Sequence, residues 1–154
     1  MGIWKMKDDL TFVKHDIFIS YRHDDSMAAF LTYYFLKQNG YDVWWDMDMN
    51  ADPDFDEFPP VIEATVCTCK DMILIVTKNT FSDRINEERD WIRKEIKCAL
   101  DNGIRITPLL FDDTPVPKTL PEGIERLTDR YKFFSSPFDP HIFTVEQMHD
   151  FFSK

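Results

Sequence analysis

An acidic stretch at residues 46–57, DMDMNADPDFDE, has the residue types to bind a metal ion. Six of its carboxylate and amide side chains fall at positions 1, 3, 5, 7, 9 and 12, the spacing of a calcium-binding EF-hand loop. Three other requirements of that loop fail. Ala51 stands where a positive φ is needed, Pro53 lacks the backbone N–H of position 8, and residues 41–45 are predicted as a strand rather than a helix. We therefore interpret the stretch as a solvated acidic loop and not as a calcium site.

Other common catalytic and cofactor motifs are missing from the sequence. The first predicted strand is not followed by G-x-G-x-x-G, and the chain contains neither a Walker A sequence nor G-x-S-x-G. The four histidines have no metal-ligand spacing and are interpreted as surface or edge residues: His15, His23, His141 and His149. We therefore expect no metal and no bound cofactor.

The charge balance restricts the partners of this chain. Its 154 residues carry a formal net charge of -10, and 44% of them are hydrophobic, which suits one domain with a single core. A nucleic acid or an anionic membrane needs a basic footprint, so we expect neither as a main partner. An anionic small molecule needs only one or two local cations and stays compatible with this composition.

The cysteines and the apolar runs bear on the cellular location. Cys67, Cys69 and Cys98 make an odd number without framework spacing, which predicts reduced thiols and a cytoplasmic location. Cys67-x-Cys69 lacks a second pair or a nearby histidine and is not interpreted as a zinc site. The longest purely apolar run, Met72–Val76, is too short to span a membrane.

Short buried strands alternate with amphipathic helices along the chain. Apolar runs predict strands at 16–21, 41–45, 71–78, 104–110 and 131–134. Helices are predicted from the capping candidates Asp24, Asp25 and Ser26 to Gly40, from Pro59 and Pro60 onward, at about 83–101, near 121–127 and at 142–152.

This alternation indicates a parallel sheet covered on both faces. We predict an α/β, flavodoxin-like three-layer fold with a five-stranded parallel sheet in the order 2-1-3-4-5 and helices on both faces. In such sheets ligands collect beyond the carboxyl ends of the strands, at the switch point beside strand 1. That rule selects the loops after residues 21, 45 and 78 as the candidate site.

A response-regulator receiver shares this fold and carries acidic residues after strand 1, where this chain has Asp24 and Asp25. A receiver also needs a phospho-accepting aspartate at the end of strand 3. This chain has Thr77, Lys78 and Asn79 there. The receiver hypothesis is therefore rejected.

Three stretches, DIFISYR (16–22), GYDVWWD (40–46) and DWIRKEI (90–96), resemble sequence boxes of the TIR-domain (Toll/interleukin-1 receptor-like) family, in the same order and at matching distances. The resemblance covers residues 16–111 well and reaches the predicted C-terminal helix weakly. It implies the flavodoxin-like fold, with residues 1–15 as an N-terminal extension and 16–154 as the TIR domain. It leaves open whether the domain stands alone or belongs to a longer protein.

Enzymatic members of this family cleave the nicotinamide–ribose bond of NAD+ with one glutamate on the helix after strand 3, and the resemblance implies that role for Glu95. Residues 46–60 correspond to the BB loop, which covers the pocket and mediates self-association. Where the family has Gly two residues before an aromatic, this chain has Pro53. The implied substrate-binding residues are Tyr21, Arg22, Asp46, Phe55 and Trp91.

Most of the implied residues also have a purely structural interpretation. Trp91 and Glu95 are four residues apart and hence neighbours on one helical face, at the margin of the Ile92/Ile96/Ala99 stripe. The alternative is that Trp91 lies at the edge of the core and Glu95 on the surface, and that neither residue has a function.

Three further assignments stay open in the same way. Arg22 suits a diphosphate, but it could instead form an ion pair with Asp24 or Asp46. Phe55 could be a core contact that anchors the loop, and Asp46 could orient Arg22. Lys78, after strand 3, is a weaker candidate for the same site.

Two functions from different classes follow from the resemblance. The first is a TIR-domain NAD+ glycohydrolase, with or without cyclase activity, that releases nicotinamide in immune or defence signalling and is activated by self-assembly. The second is a non-catalytic adaptor that acts through TIR–TIR association. The expected partners are NAD+ as substrate and other TIR domains, bound through the BB loop.

Overall fold

The computed structural model describes residues 16–45 and 60–135, with the backbone alone for 60–63 and 135. The elements in these ranges are β1 (Ile17–Ser20), α1 (Ser26–Gln38), β2 (Val43–Trp44), α2 (Pro60–Thr68), β3 (Asp71–Val76), α3 (Trp91–Asp101), β4 (Arg105–Leu110), α4 (Arg126–Arg130) and β5 (Phe134–Ser135). None of these helices is long and apolar enough to cross a membrane. The acidic stretch and the helix predicted at 142–152 lie outside the described residues.

The strands form one sheet in the order β2-β1-β3-β4-β5, and every neighbouring pair is parallel. The edge strands β2 and β5 have two residues each and are shorter than the sequence predicted. Because β3 lies next to β1 although α1, β2 and α2 separate them in the chain, the winding direction reverses at β1. The predicted α/β fold with a parallel sheet is confirmed.

Alternation of side chains along the strands builds a separate core on each face of the sheet. On the face covered by α2, α3 and α4, here called the α3 face, the strands contribute Phe18, Met72, Leu74, Val76 and Ile106. On the opposite, α1 face they contribute Ile17, Ile19, Ile73, Ile75 and Leu109. Every residue of β3 is buried, which explains its unbroken apolar run. The predicted helices on both faces are confirmed.

The Asn-Gly pairs mark helix ends rather than hairpin turns. Gly40 follows the C-cap Asn39 of α1 with φ +85°, and its N–H donates to the Lys37 carbonyl oxygen at 3.1 Å. Gly103 has φ +68° after α3. A residue with a Cβ is strained at such a φ, so glycine ends these helices and turns the chain toward the next strand.

The helix predicted at 83–101 is interrupted. A 3-10 turn at Asp83–Asn86 is followed by extended backbone at Glu87 and Asp90, and α3 begins only at Trp91. Asp90 is the N-cap, and its carboxylate accepts the Arg93 N–H at 3.3 Å. The same carboxylate also accepts hydrogen bonds from Arg22, so the residue at the start of α3 makes both a local and a tertiary contact. The helix predicted near 121–127 is likewise displaced and spans Arg126–Arg130.

A disulfide joins Cys67 of α2 to Cys98 of α3, with a Cα–Cα distance of 6.2 Å. Cys69 is buried and outside this bond. The prediction of reduced thiols is therefore wrong for two of the three cysteines, because the packing of α2 on α3 places side chains 31 residues apart next to each other. The cysteine argument for a cytoplasmic location no longer holds, and that location stays a prediction.

Reduction of this disulfide is expected to lower the free energy of unfolding by about 3 kcal/mol, because the bond restricts the unfolded chain. Urea unfolding with and without dithiothreitol measures the loss. A Cys67→Ser/Cys98→Ser variant serves as the control and should unfold at one urea concentration in both buffers. Equal midpoints for the oxidised and reduced wild-type protein would contradict the expectation.

Candidate active site

Glu95 lies in the second turn of α3 and is buried against the end of β1. Its exposed fraction is 4%, and the Ser20 hydroxyl donates to its Oε1 at 2.7 Å. Because Ser20 is the last residue of β1, the carboxylate sits at the carboxyl edge of the sheet, where ligands bind in parallel α/β folds. The sequence predicted Glu95 at the margin of the apolar stripe, whereas the structure buries it together with Ile92 and Ile96.

Trp91 is the first residue of α3, one turn before Glu95. Its ring is partly buried and packs against the core of the α3 face. The predicted placement of Trp91 beside Glu95 agrees with this geometry. Any stacking of its indole on a ligand stays a prediction.

Arg22 is buried, with an exposed fraction of 5%, and has well-defined partners. Its Nη1 and Nη2 donate to the two carboxylate oxygens of Asp90, the latter at 2.9 Å. Its Nε and Nη2 donate to the Thr80 carbonyl oxygen at 3.1 and 2.8 Å. The Asp90 side chain is 0% exposed, so this is a fully buried, bidentate ion pair.

This arrangement gives the Arg22 guanidinium protein partners, and its predicted contact with a diphosphate stays a prediction. Each guanidinium nitrogen donates to Asp90 or Thr80. The structural alternative, an ion pair, is present with Asp90 rather than with Asp24, and Asp46 lies outside the described residues. Arg22 therefore joins the loop after β1 to the start of α3.

A second polar contact pins the loop after β1 to the loop after β3. The buried Asp25 carboxylate accepts the Thr77 hydroxyl at 2.7 Å and the Asn79 side-chain amide at 3.0 Å. Asp25, one of the predicted capping candidates, occupies the N-cap position of α1, but its side chain makes no capping hydrogen bond. These contacts join the loops after β1 and β3, which are two of the three loops expected at the carboxyl edge of the sheet.

Lys78 is exposed, and its backbone N–H donates to Asp112 Oδ2 at 2.9 Å. Desolvation acts to raise the pKa of Asp112, but hydrogen bonds from Thr114 and from the Lys78 N–H outweigh it and lower that pKa below its usual value. Asp112 therefore stays ionised near neutral pH and holds the loop after β3 to the loop after β4. The role of Lys78 as a weaker candidate for the site stays a prediction.

The remaining predicted residues are not brought together with Glu95 in the described part of the chain. Tyr21 packs on the α1 face, with its ring centroid 6.2 Å from that of Trp45, whereas Glu95 contacts Ser20 on the α3 face. Asp46 and Phe55 lie outside the described residues, as does most of the loop at 46–60.

Ser20 and Asp90 are the site residues that the sequence analysis missed. A serine inside the buried run IFIS needs a hydrogen-bond partner, and that need was a usable signal. An aspartate directly before an amphipathic helix is a typical N-cap, so Asp90 could have been recognised as the residue that starts α3. Neither signal identifies the distant partner.

The parallel sheet, with a buried glutamate at its carboxyl edge, places this chain among the small parallel α/β domains. The particular family follows from a family model described as TIR domain, which matches residues 17–140. This match covers more than half of the sequence, so the chain belongs to the TIR-domain family.

Two curated relatives resemble the chain over most of its length. NAD(+) hydrolase tir-1 of Caenorhabditis elegans is 29% identical over 119 residues, which cover 73% of this chain and 12% of the relative. NAD(+) hydrolase sarm1 of Drosophila melanogaster is 30% identical over 114 residues, which cover 71% of this chain and 8% of the relative. The chain thus corresponds to a small part of each relative.

Solved structures show the same fold at low sequence identity. The TIR domain of the Toll-related receptor TRR-2 from Hydra magnipapillata superimposes with a TM-score of 0.63 at 14% identity, covering 92% of this chain and 100% of the other. The TIR domains of the activated Roq1 resistosome give a TM-score of 0.53 at 19% identity, covering 77% and 72%.

Proposed function

We propose that this chain is a TIR-domain NAD+ glycohydrolase in which Glu95 is the catalytic residue. The observation that carries the proposal is the burial of the Glu95 carboxylate at the carboxyl edge of the sheet, in contact with the end of β1. A surface glutamate exposed to bulk water would not suit this role. Support comes from the two curated relatives, both of which are named NAD(+) hydrolase.

The proposed reaction suits a single carboxylate. The bond between C1′ of the ribose and the pyridinium nitrogen breaks, and its electron pair leaves with nicotinamide, which departs as a neutral molecule. No general acid is needed, in contrast to O-glycoside hydrolysis, where an alcohol must be protonated. Water then adds to C1′ and loses a proton, which gives ADP-ribose. The carboxylate stabilises the oxocarbenium-like transition state electrostatically.

The surroundings of Glu95 support this electrostatic role. A carboxylate that is 4% exposed acts on a developing positive charge through a medium of lower effective dielectric than water. Its orientation is set by a rigid strand and a helix rather than by a loop. Such preorganisation means that little rearrangement is needed at the moment of reaction.

The proposed substrate contacts differ from those that the resemblance implied. Trp91, one turn from Glu95, is proposed to stack on a ring of NAD+, where a pyridinium would add a cation–π term of about 1 kcal/mol. Asp46 and Phe55 keep their proposed roles in the loop over the substrate. Arg22 is proposed to join the loop after β1 to the start of α3 through Asp90. Tyr21 lies on the α1 face and is not proposed to contact the substrate.

We further propose that activity depends on assembly with other TIR domains through the BB loop, residues 46–60, in immune or defence signalling in the cytoplasm. The similarity to TIR domains found in a resistosome, an assembled state of the Roq1 protein, supports assembly as a general property. The proposal involves no membrane and no nucleic acid, in keeping with the net charge of -10.

Incubation of the wild-type protein with NAD+ over a range of protein concentrations tests this function. Nicotinamide release per molecule should rise with concentration if a neighbouring subunit completes the site. Chromatography of the products separates ADP-ribose from cyclic isomers and decides whether water or the adenine captures the ribosyl cation. A protein that releases no nicotinamide even when it is crowded would refute the enzymatic function.

A non-catalytic adaptor is the second candidate, and one feature of α1 favours it. Four large hydrophobic side chains of this helix are exposed: Met27, Phe30, Leu31 and Tyr34. Exposed apolar side chains grouped on one helix are typical of protein–protein contacts. An adaptor would bind other TIR domains while it releases no nicotinamide, so the concentration series separates the two candidates.

A further inference from the structure

The Ser20 hydroxyl is placed by the sheet directly against the proposed catalytic carboxylate. Ser20 shares the α3 face with Phe18, two residues before it, and its register partner on β3 is Leu74. Its exposed fraction is 1%. In this apolar setting the hydroxyl needs a partner, and Glu95 Oε1 provides it at 2.7 Å.

The contact joins residues 75 positions apart in the chain, and each lies on a regular element. A donor–acceptor distance of 2.7 Å lies within the range of an O–H···O⁻ bond to a charged acceptor. A serine hydroxyl has one proton to donate, and donating it to a carboxylate favours the ionised form over the protonated one. Ser20 therefore acts on both the orientation and the ionisation of Glu95.

We infer that Ser20 is a positioning residue for the glycosidase reaction: its hydroxyl holds the Glu95 carboxylate ionised and aimed at the ribose. This inference rests on the proposed NAD+ glycohydrolase function. Ser20 itself is buried beneath Glu95 and has no role in binding the substrate. The inference therefore predicts an effect on the chemical step and on its pH dependence, with substrate binding left nearly unchanged.

Ser20→Ala is the variant that tests this inference. We expect kcat to fall about 10- to 100-fold, the effect of losing a hydrogen bond to a charged group, while KM changes less than about threefold. The acid side of the pH–rate profile should also move upward by about one pH unit, since the ionised carboxylate loses a donor. A purely structural residue would not move the pH profile.

A buried hydroxyl on the other face of the sheet provides the matched control. Thr107 of β4 is 3% exposed, and its hydroxyl has no hydrogen-bond partner among the described residues. It pairs with Ile73, which belongs to the core of the α1 face. Thr107→Val removes a buried hydroxyl of the same sheet without touching Glu95, so its kcat and pH profile should match those of the wild type.

The experiment measures kcat, KM and the pH profile of the wild type, Ser20→Ala and Thr107→Val at the protein concentration at which the wild type is assembled. Thermal unfolding shows whether each variant is folded. If Ser20→Ala does not fold, Ser20→Cys replaces it, because a thiol is close in size and a much weaker donor. The same fall in kcat and the same shift in pH dependence are then expected.

The possible outcomes separate this inference from the proposed function. An active wild type with a slow, pH-shifted Ser20 variant supports the inference. An active wild type whose folded Ser20 variant keeps its kcat and pH profile overturns the inference and leaves the glycohydrolase function standing. A wild type that releases no nicotinamide in any assembled state overturns both.

Discussion

Replacing Glu95 by Gln is expected to lower nicotinamide release from NAD+ by at least about 100-fold, the effect of losing a group that stabilises transition-state charge. The amide keeps the size of the side chain and retains an oxygen that can accept the Ser20 hydroxyl. It removes the negative charge that faces the developing positive charge on the ribose. Single-turnover assays on assembled protein measure the effect on the chemical step.

The stability of the Glu95→Gln variant provides a second, independent test of the role of Glu95. A buried carboxylate is costly to desolvate, so Glu95→Gln should unfold at the same denaturant concentration as the wild type or at a higher one. Glu88→Gln is the control, because Glu88 is exposed and precedes α3. A Glu95→Gln variant that is folded and retains the activity of the Glu88 control would exclude Glu95 as the catalytic residue.

Replacing Asp90 by Asn is expected to lower the free energy of unfolding by about 3–5 kcal/mol, because it leaves the buried Arg22 charge without its anion. Asparagine is as good an N-cap as aspartate, so the start of α3 is preserved and the charge effect is isolated. Asp90→Ala loses the cap as well and should cost about 1 kcal/mol more. Urea unfolding of the three proteins gives the two differences.

An exposed ion pair on the same helix serves as the comparison. Lys97 and Asp101 form an i,i+4 pair at 2.6 Å, with side chains 55% and 46% exposed. Asp101→Asn breaks this pair and the exposed pair of Asp101 with Arg126, and it should cost less than about 1 kcal/mol, as is usual for solvent-screened pairs. If Asp90→Asn proves no more destabilising than Asp101→Asn, the Arg22–Asp90 pair does not hold the loop to α3 in the way described.

The layers of the fold could be predicted because the spacing of apolar residues along the chain distinguishes buried strands from amphipathic helices. The unbroken apolar run of β3 and the glycines after α1 and α3 reflect local requirements, namely burial on both faces and a positive φ. The helix at 83–101 was predicted too long because the N-cap signal of Asp90 was overlooked. Asp90 also binds Arg22, which lies 68 residues before it. A local pattern contains no information about that contact.

The same limit applies to the site. The resemblance was sufficient to select Glu95 and Trp91, since both stand in one motif on one helix. It did not predict the ion pair of Arg22 with Asp90, because a cation at the end of a strand suits a phosphate and a buried carboxylate equally well. Ser20 was overlooked because its partner is 75 residues away, and the disulfide because helix packing brings its two cysteines together.

The contacts of the site span two separate pieces of the chain, with Ser20, Arg22 and Asp25 on one and residues 77–95 on the other. A chimera that received α3 alone from this protein would acquire Glu95 but would have to supply its own serine and arginine in matching register. The two segments therefore form one module for grafting between family members. Exchange of only one segment would leave Glu95, Asp90 or Thr77 without the partner that it has in this protein.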